Sequence, residues 1–136
     1  MPSIYQIVPP WMRCANSWKI IQPRVYLVMH NNCRILRLTL KAMPFEVMRT
    51  GEKLEEFREP SDWIRSRLFT KDGMPREYDH IEYVNGYGAT RPRFYTDYCG
   101  FELIQQCIWR SYSNGLIVST GKPVYVIKHS MVLEYN

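Results

Sequence analysis

From residue 33 onward, apolar and polar positions fall into short blocks whose periods differ. CRILRLTL (33–40) is rich in leucine and β-branched residues and predicts a strand. Pro44 then stands where a first helical turn begins. The stretch PFEVMRTG gives that helix an apolar face of Phe45, Val47 and Met48 and a stop at Gly51. KLEEFRE reads as a second strand, ended by Pro60. Ser61 is an N-cap for SDWIRSRLF, with Trp63, Ile64 and Leu68 as its apolar stripe. After the turn-rich KDGMPRE the pattern is extended almost throughout. DHIEYVN (79–85) alternates around Ile81 and Tyr83, with Val84 on its other face. NGYG is a turn, PRFYTDYCGFELI (92–104) is a long run with Gly100 placed for a bulge, and SYSNG is another turn. PVYVIKHSMVLEY (123–135) closes the series. Strands with helices confined to the first half predict an α+β fold, a small curled sheet or barrel with one or two helices packed on it.

Residues 1–32 have a different texture. They hold Pro2, Pro9, Pro10 and Pro23, the tryptophans Trp11 and Trp18, and one strand-like stretch, PRVYLVM (23–29). They are expected to form an N-terminal extension to a domain of residues 33–136. Trp11, Trp18, Ile20 and Ile21 are its candidate apolar patch for a protein partner.

At 136 residues the chain suits one compact domain. Its longest apolar stretches fall short of the roughly 18–20 residues of a membrane helix. The start, MPSIYQIVPPWMR, lacks the basic and apolar regions of a secretory signal, so a cytoplasmic protein without a membrane partner is expected. The net charge of +5 is unevenly spread: residues 1–32 carry Arg13, Lys19 and Arg24 and no carboxylate, whereas residues 33–136 carry only +2. That balance argues against a footprint for long duplex nucleic acid and leaves room for a small basic pocket. Cys14, Cys33, Cys99 and Cys107 are scattered, as are His30, His80 and His129. No metal site or cofactor is expected from such spacing, and the thiols read as reduced and structural.

The densest chemistry is in GEKLEEFRE (51–59), two cations among four carboxylates. On a strand Glu56 and Arg58 share a face, so a pair of opposite sign at this spacing can hold itself in place. Lys53 enters from the turn after Gly51, near a helix end where a cation is favoured. A solvated edge strand kept from associating by its charges is the plainer reading of the same pattern.

In context, LRLTLKAMPFEVMRTGEKLEEFRE resembles the opening of the ASCH family, where a strand and a helix lead into G-x-K-x-x-E-x-R. Gly51, Lys53, Glu56 and Arg58 match it in register. SDWIRSRL, YDHIEYVNGYG and GKPVYVIKHSMVL resemble the later parts of small stand-alone phage and bacterial members, so the likeness covers about residues 33–136. It implies a PUA-like β-barrel with a charged ligand cleft between helix and barrel that binds RNA or a nucleotide-like ligand. Lys53, Glu56 and Arg58 would face the cleft, joined by Lys41 at the end of the first strand. Tyr87 in the glycine turn, with Tyr83 and Trp63, would offer stacking faces. Trp63 reads more readily as core. Arg91 and Arg93 would extend a basic rim.

Some relatives in that superfamily are hydrolytic, among them a ribonuclease and an acetylcytidine amidohydrolase. The latter pairs its lysine with a threonine where this chain has Glu56, and Thr39 and Thr50 occupy other positions. Catalysis here would rest on Lys53 and Glu56 as base and partner. A third expectation is a phage regulatory protein that binds a host protein through residues 1–32.

Overall fold

The computed structural model describes residues 33–133. The chain follows the order β1 (Ile35–Leu40), α1 (Ala42–Arg49), β2 (Glu55–Arg58), α2 (Asp62–Leu68), β3 (His80–Asn85), β4 (Arg93–Ile104), β5 (Trp109–Ser111), β6 (Ile117–Ser119), β7 (Val124–Val132). Five strands make one sheet in the order β1-β3-β4-β7-β2; β5 and β6 form a separate hairpin. Among the described strands only β1 and β3 run parallel, joined by the long crossover through α1, β2 and α2. The fold is α+β, a curled five-stranded half-barrel with two helices packed against it.

The curl brings the two edges of the sheet together. Arg58 on β2 donates from Nη2 to the Thr39 carbonyl of β1 at 2.9 Å, although these strands are the outermost two of the sheet. Curvature enters at β4. Its register against β7 shifts between Thr96 and Tyr98 and again between Tyr98 and Phe101, and Gly100 supplies a φ of +91° there. The core fills the concave side with Leu36, Leu38 and Leu40 of β1, Ile81 and Tyr83 of β3, Phe94 of β4 and Ile127 of β7. Helix α1 adds Phe45 and Met48, with the Phe45 and Phe94 rings 4.9 Å apart.

Gly51 ends α1 for two reasons. Its φ of +88° is costly for any other residue, and a Cβ there would collide with the Met131 side chain. Ser61 caps α2 by accepting from the Ile64 amide at 3.2 Å.

Two expectations are corrected. Trp63 is not core: it is 46 % exposed and lies under the Arg67 guanidinium at 4.9 Å, because a seven-residue helix needs only Ile64 and Leu68 to reach the barrel. The turn expected at SYSNG is present as the tip of the hairpin β5–β6, whose strands are too short and too exposed to show a period. The thiols are not all reduced: Cys99 is disulfide-bonded, whereas Cys33 and Cys107 are free, since pairing depends on where the fold brings chains together rather than on spacing. No helix among the described residues is long and apolar enough to cross a membrane.

Candidate functional site

The charged run lies at the seam where the edges meet. Glu56 is 7 % exposed and accepts on both oxygens, from Arg58 Nε at 2.7 Å and from Lys53 Nζ at 3.3 Å. The shared face of Glu56 and Arg58 expected from strand alternation is therefore present. Lys53 is 2 % exposed, unusual for a side chain that almost never enters an interior without a partner. Its ammonium also donates to the Glu55 carbonyl and lies 5.1 Å from the Phe57 ring and 5.9 Å from the Tyr112 ring. Arg58 is the outermost of the three, with its side chain a quarter exposed.

Burial dominates the titration of this cluster. It lowers the Lys53 pKa, with the Glu56 carboxylate pulling the other way. Next to it His129 is held neutral: burial drops its pKa from 6.5 to about 4, and the positive charge of Lys53 adds to the drop. His129 Nδ1 lies 2.9 Å from the Ser130 carbonyl, which assigns the proton to Nδ1 and leaves Nε2 as an acceptor. Tyr83 packs edge-on against that imidazole at 5.2 Å, and its pKa is raised well above 10.0 by burial, reinforced by Glu56. Tyr83 Oη and His129 Nε2 are both buried and have no hydrogen-bond partner among the described residues. The seam thus joins a pair-bound lysine, a shared carboxylate and an arginine to one donor and one acceptor with bonding capacity left over.

Local structure explains how the lysine is held. Glu52 accepts from the Ser113 amide at 2.9 Å and from its hydroxyl at 2.5 Å, and Asn114 donates from Nδ2 to the Met43 carbonyl at 3.0 Å. The β5–β6 tip is in this way fastened to α1 and to the turn that launches Lys53, which sets Tyr112 beside the ammonium.

Of the other predicted site residues, Lys41 is the N-cap of α1, exposed, and without a side-chain hydrogen bond or ion pair among the described residues. It follows Thr39, the contact of Arg58, by two positions, so it stands at the outer edge of the same seam. Tyr87 is 88 % exposed in the β3–β4 turn, which is fastened to the same strand end by the Gly86 amide donating to Leu40 at 3.1 Å. Lys53, Glu56 and Arg58 are therefore in contact, and Lys41 and Tyr87 are brought to their border without touching them.

Arg91 and Arg93 are both exposed, and Arg91 donates to the Asn85 carbonyl at 2.7 Å across its own turn. Arg93 binds Glu82 at 3.3 Å. Glu82 itself was not legible in the pattern. It is buried and accepts from Arg37 at 3.0 Å and from the Tyr95 hydroxyl at 2.6 Å as well. His80 Nδ1 lies 3.2 Å from Asp97 Oδ1, both buried in the sheet. Among the described residues no group of three His, Cys, Asp or Glu is placed to hold a metal ion.

No protein-family model matches the chain, and searches of curated proteins and of solved structures give no match.

Proposed function

We propose that the seam between β1 and β2 is a ligand site for RNA or a nucleotide-like molecule, with Lys53, Glu56 and Arg58 as its floor and Lys41 and Tyr87 as its border. The observation that carries this reading is that two cations share one carboxylate in a nearly dry interior. A buried ion network costs more than a hydrophobic filling of the same volume, so its presence at the seam of a small barrel calls for a use other than stability. Positive groups outnumber the carboxylate they contact, which suits an anionic partner, and Arg58 faces outward to meet it first. The likeness of Gly51, Lys53, Glu56 and Arg58 to the ASCH motif points the same way.

A hydrolytic second reading draws on one specific feature, the lowered pKa of Lys53 beside Glu56. An amine whose protonated form is disfavoured is a competent base for activating water.

One paired assay separates the two. Wild type and Lys53→Ala are incubated with short single-stranded RNA and with acetylated cytidine, and binding and product are read together. Binding without product, weakened in the variant, supports the binding module. Product that vanishes with Lys53 supports the hydrolase, and neither binding nor product sinks both.

A further inference from the structure

The strand edge that borders the seam opens again further along β1. A pocket of about 210 Å³ is lined by Ile35, Leu36 and Arg37 of β1, by Arg67 of α2 and by Tyr78. Leu36 belongs to the buried face of β1 and Arg37 to its exposed face, so a pocket touching both sits on the edge of the strand. Backbone alternation shows what that edge offers. The Arg34 and Leu40 carbonyls accept from the His80 and Gly86 amides, so even-numbered residues of β1 bond toward β3. The Thr39 carbonyl accepts from Arg58 on the opposite side. The Ile35 and Arg37 amides point outward with Thr39 and have no ladder partner among the described residues.

Two guanidinium groups tip this edge toward donors. Arg37 bonds Glu82 through Nε at 3.0 Å while its side chain stays 67 % exposed, and Glu82 is already shared with Arg93 and Tyr95. Arg67 is exposed, stacks on the Trp63 ring at 4.9 Å and has no carboxylate partner among the described residues. The Tyr78 hydroxyl donates to the Arg67 carbonyl at 2.5 Å and fastens the end of α2 beside the pocket. Oriented guanidinium groups with spare N–H donors suit a phosphate group, whose oxygens only accept.

The pocket is also continuous with the seam. Thr39, over which Arg58 reaches, is followed back along β1 by Arg37 and Ile35 at about 7 and 13 Å, at about 3.3 Å per residue. A stacked nucleic-acid strand advances about 3.4 Å per nucleotide, so the pocket lies about two to four nucleotides from the seam.

We propose that the β1-edge pocket, with Arg37, Arg67 and the Ile35 and Arg37 amides as donors, is a phosphate subsite of the seam, which makes the ligand a single-stranded oligonucleotide rather than a mononucleotide. The proposal rests on the seam being a nucleotide site. A contact of this kind sets register and adds affinity without reading sequence.

The test titrates the full chain with uridine monophosphate and with single-stranded oligouridylates of increasing length, in wild type and in Arg67→Gln. Amide resonances and fluorescence anisotropy are the readouts. Arg67 is exposed, so unmoved β4 and β7 resonances verify the fold of the variant. Affinity should rise roughly tenfold from mononucleotide to pentanucleotide and then level off. Arg67→Gln should erase that gain and leave the mononucleotide unchanged. It should also flatten the slope of log affinity against log salt by about 0.7, the share of one phosphate on a single strand. The Ile35 and Arg37 amides should shift with the pentanucleotide and not with the mononucleotide. Mononucleotide shifts at Thr39 and at Lys53 through Arg58, with no gain from length, would overturn the subsite and keep the seam. A length gain and salt slope unmoved by Arg67→Gln would overturn it as well. Shifts at Ile35 and Arg37 with none at Thr39 would overturn the seam reading and the shared ligand with it. Inorganic phosphate that shifts Ile35 and Arg37 at the same phosphate concentration as the pentanucleotide would make the pocket a free-anion site and overturn the oligonucleotide.

Discussion

Replacing Glu56 by Gln removes the one carboxylate that Lys53 and Arg58 share while keeping its shape. Arg58 is a quarter exposed and recovers much of its loss from solvent, so the cost falls on Lys53, which has almost no access to water. Breaking a buried pair from one side costs about 3–5 kcal/mol. Lys53 can escape by shedding its proton, which costs about 1.4 kcal/mol for each unit between the solution pH and the ordinary lysine value, again about 4–5 kcal/mol at neutral pH.

Both routes predict that Glu56→Gln loses about 4 kcal/mol at pH 7, a large share of a typical small domain's stability. The pH dependence then identifies the cause. With the folded pKa of Lys53 lowered, the unfolded chain binds more protons in the window below the ordinary lysine value, so stability rises with pH there. Without Glu56 that window opens further downward. Urea unfolding between pH 7 and 9 should therefore show Glu56→Gln regaining about 1 kcal/mol per pH unit relative to the double variant Lys53→Met with Glu56→Gln, in which no amine remains. A Glu56→Gln protein within about 0.5 kcal/mol of wild type, with a pH slope parallel to that of the double variant, would refute a buried, ionised Lys53–Glu56 pair.

Three further outcomes follow from the same geometry. His129 is neutral in the fold and its pKa is lowered to about 4, so stability should fall by about 3 kcal/mol as pH drops from 6.5 to 4 and then level off. His129→Gln should remove that part of the acid slope in thermal melts. Gly51→Ala forces a side chain into a positive φ and pushes the flexible end of Met131 aside, and should cost about 1–3 kcal/mol in urea unfolding, somewhat more than Gly73→Ala, where only the φ is strained. Because Gly73 also has positive φ, the difference between the two isolates the collision. Tyr87→Ala should leave stability within about 0.5 kcal/mol and weaken single-stranded RNA binding by about 1–3 kcal/mol, read by fluorescence anisotropy.

The long elements were legible because each buries a run of side chains. β1, β4 and β7 are marked by Leu36 to Leu40, Phe94 to Ile104 and Val124 to Val132, and the glycines at 51 and 100 punctuate where the backbone turns left-handed. The pairing of Glu56 with Arg58 followed from strand alternation. What alternation could not give was depth. Lys53 follows a turn, so its descent into the barrel depends on how the β5–β6 tip grips Glu52 and Met43 across more than 60 residues of sequence. The burial of Glu82 was not legible, because β3 is central and its second face is roofed by Arg37, Arg93 and Tyr95 from the neighbouring strands. Trp63 was misplaced because aromatic content outweighed the i, i+4 spacing of Ile64 and Leu68. Residues 1–32, including the patch of Trp11, Trp18, Ile20 and Ile21, lie outside the described residues.

The central claim is that the β1–β2 seam receives an anionic, nucleotide-like ligand. Nitrogen-15 resonance mapping of the wild-type chain during titration with a short single-stranded RNA tests it without disturbing the buried network. The account predicts saturable shifts at Thr39, at Lys53 through Arg58, and at Gly86 through Gly88. Saturable shifts confined to other surfaces, or none up to millimolar RNA, would contradict it and leave the buried charges as a structural seam alone.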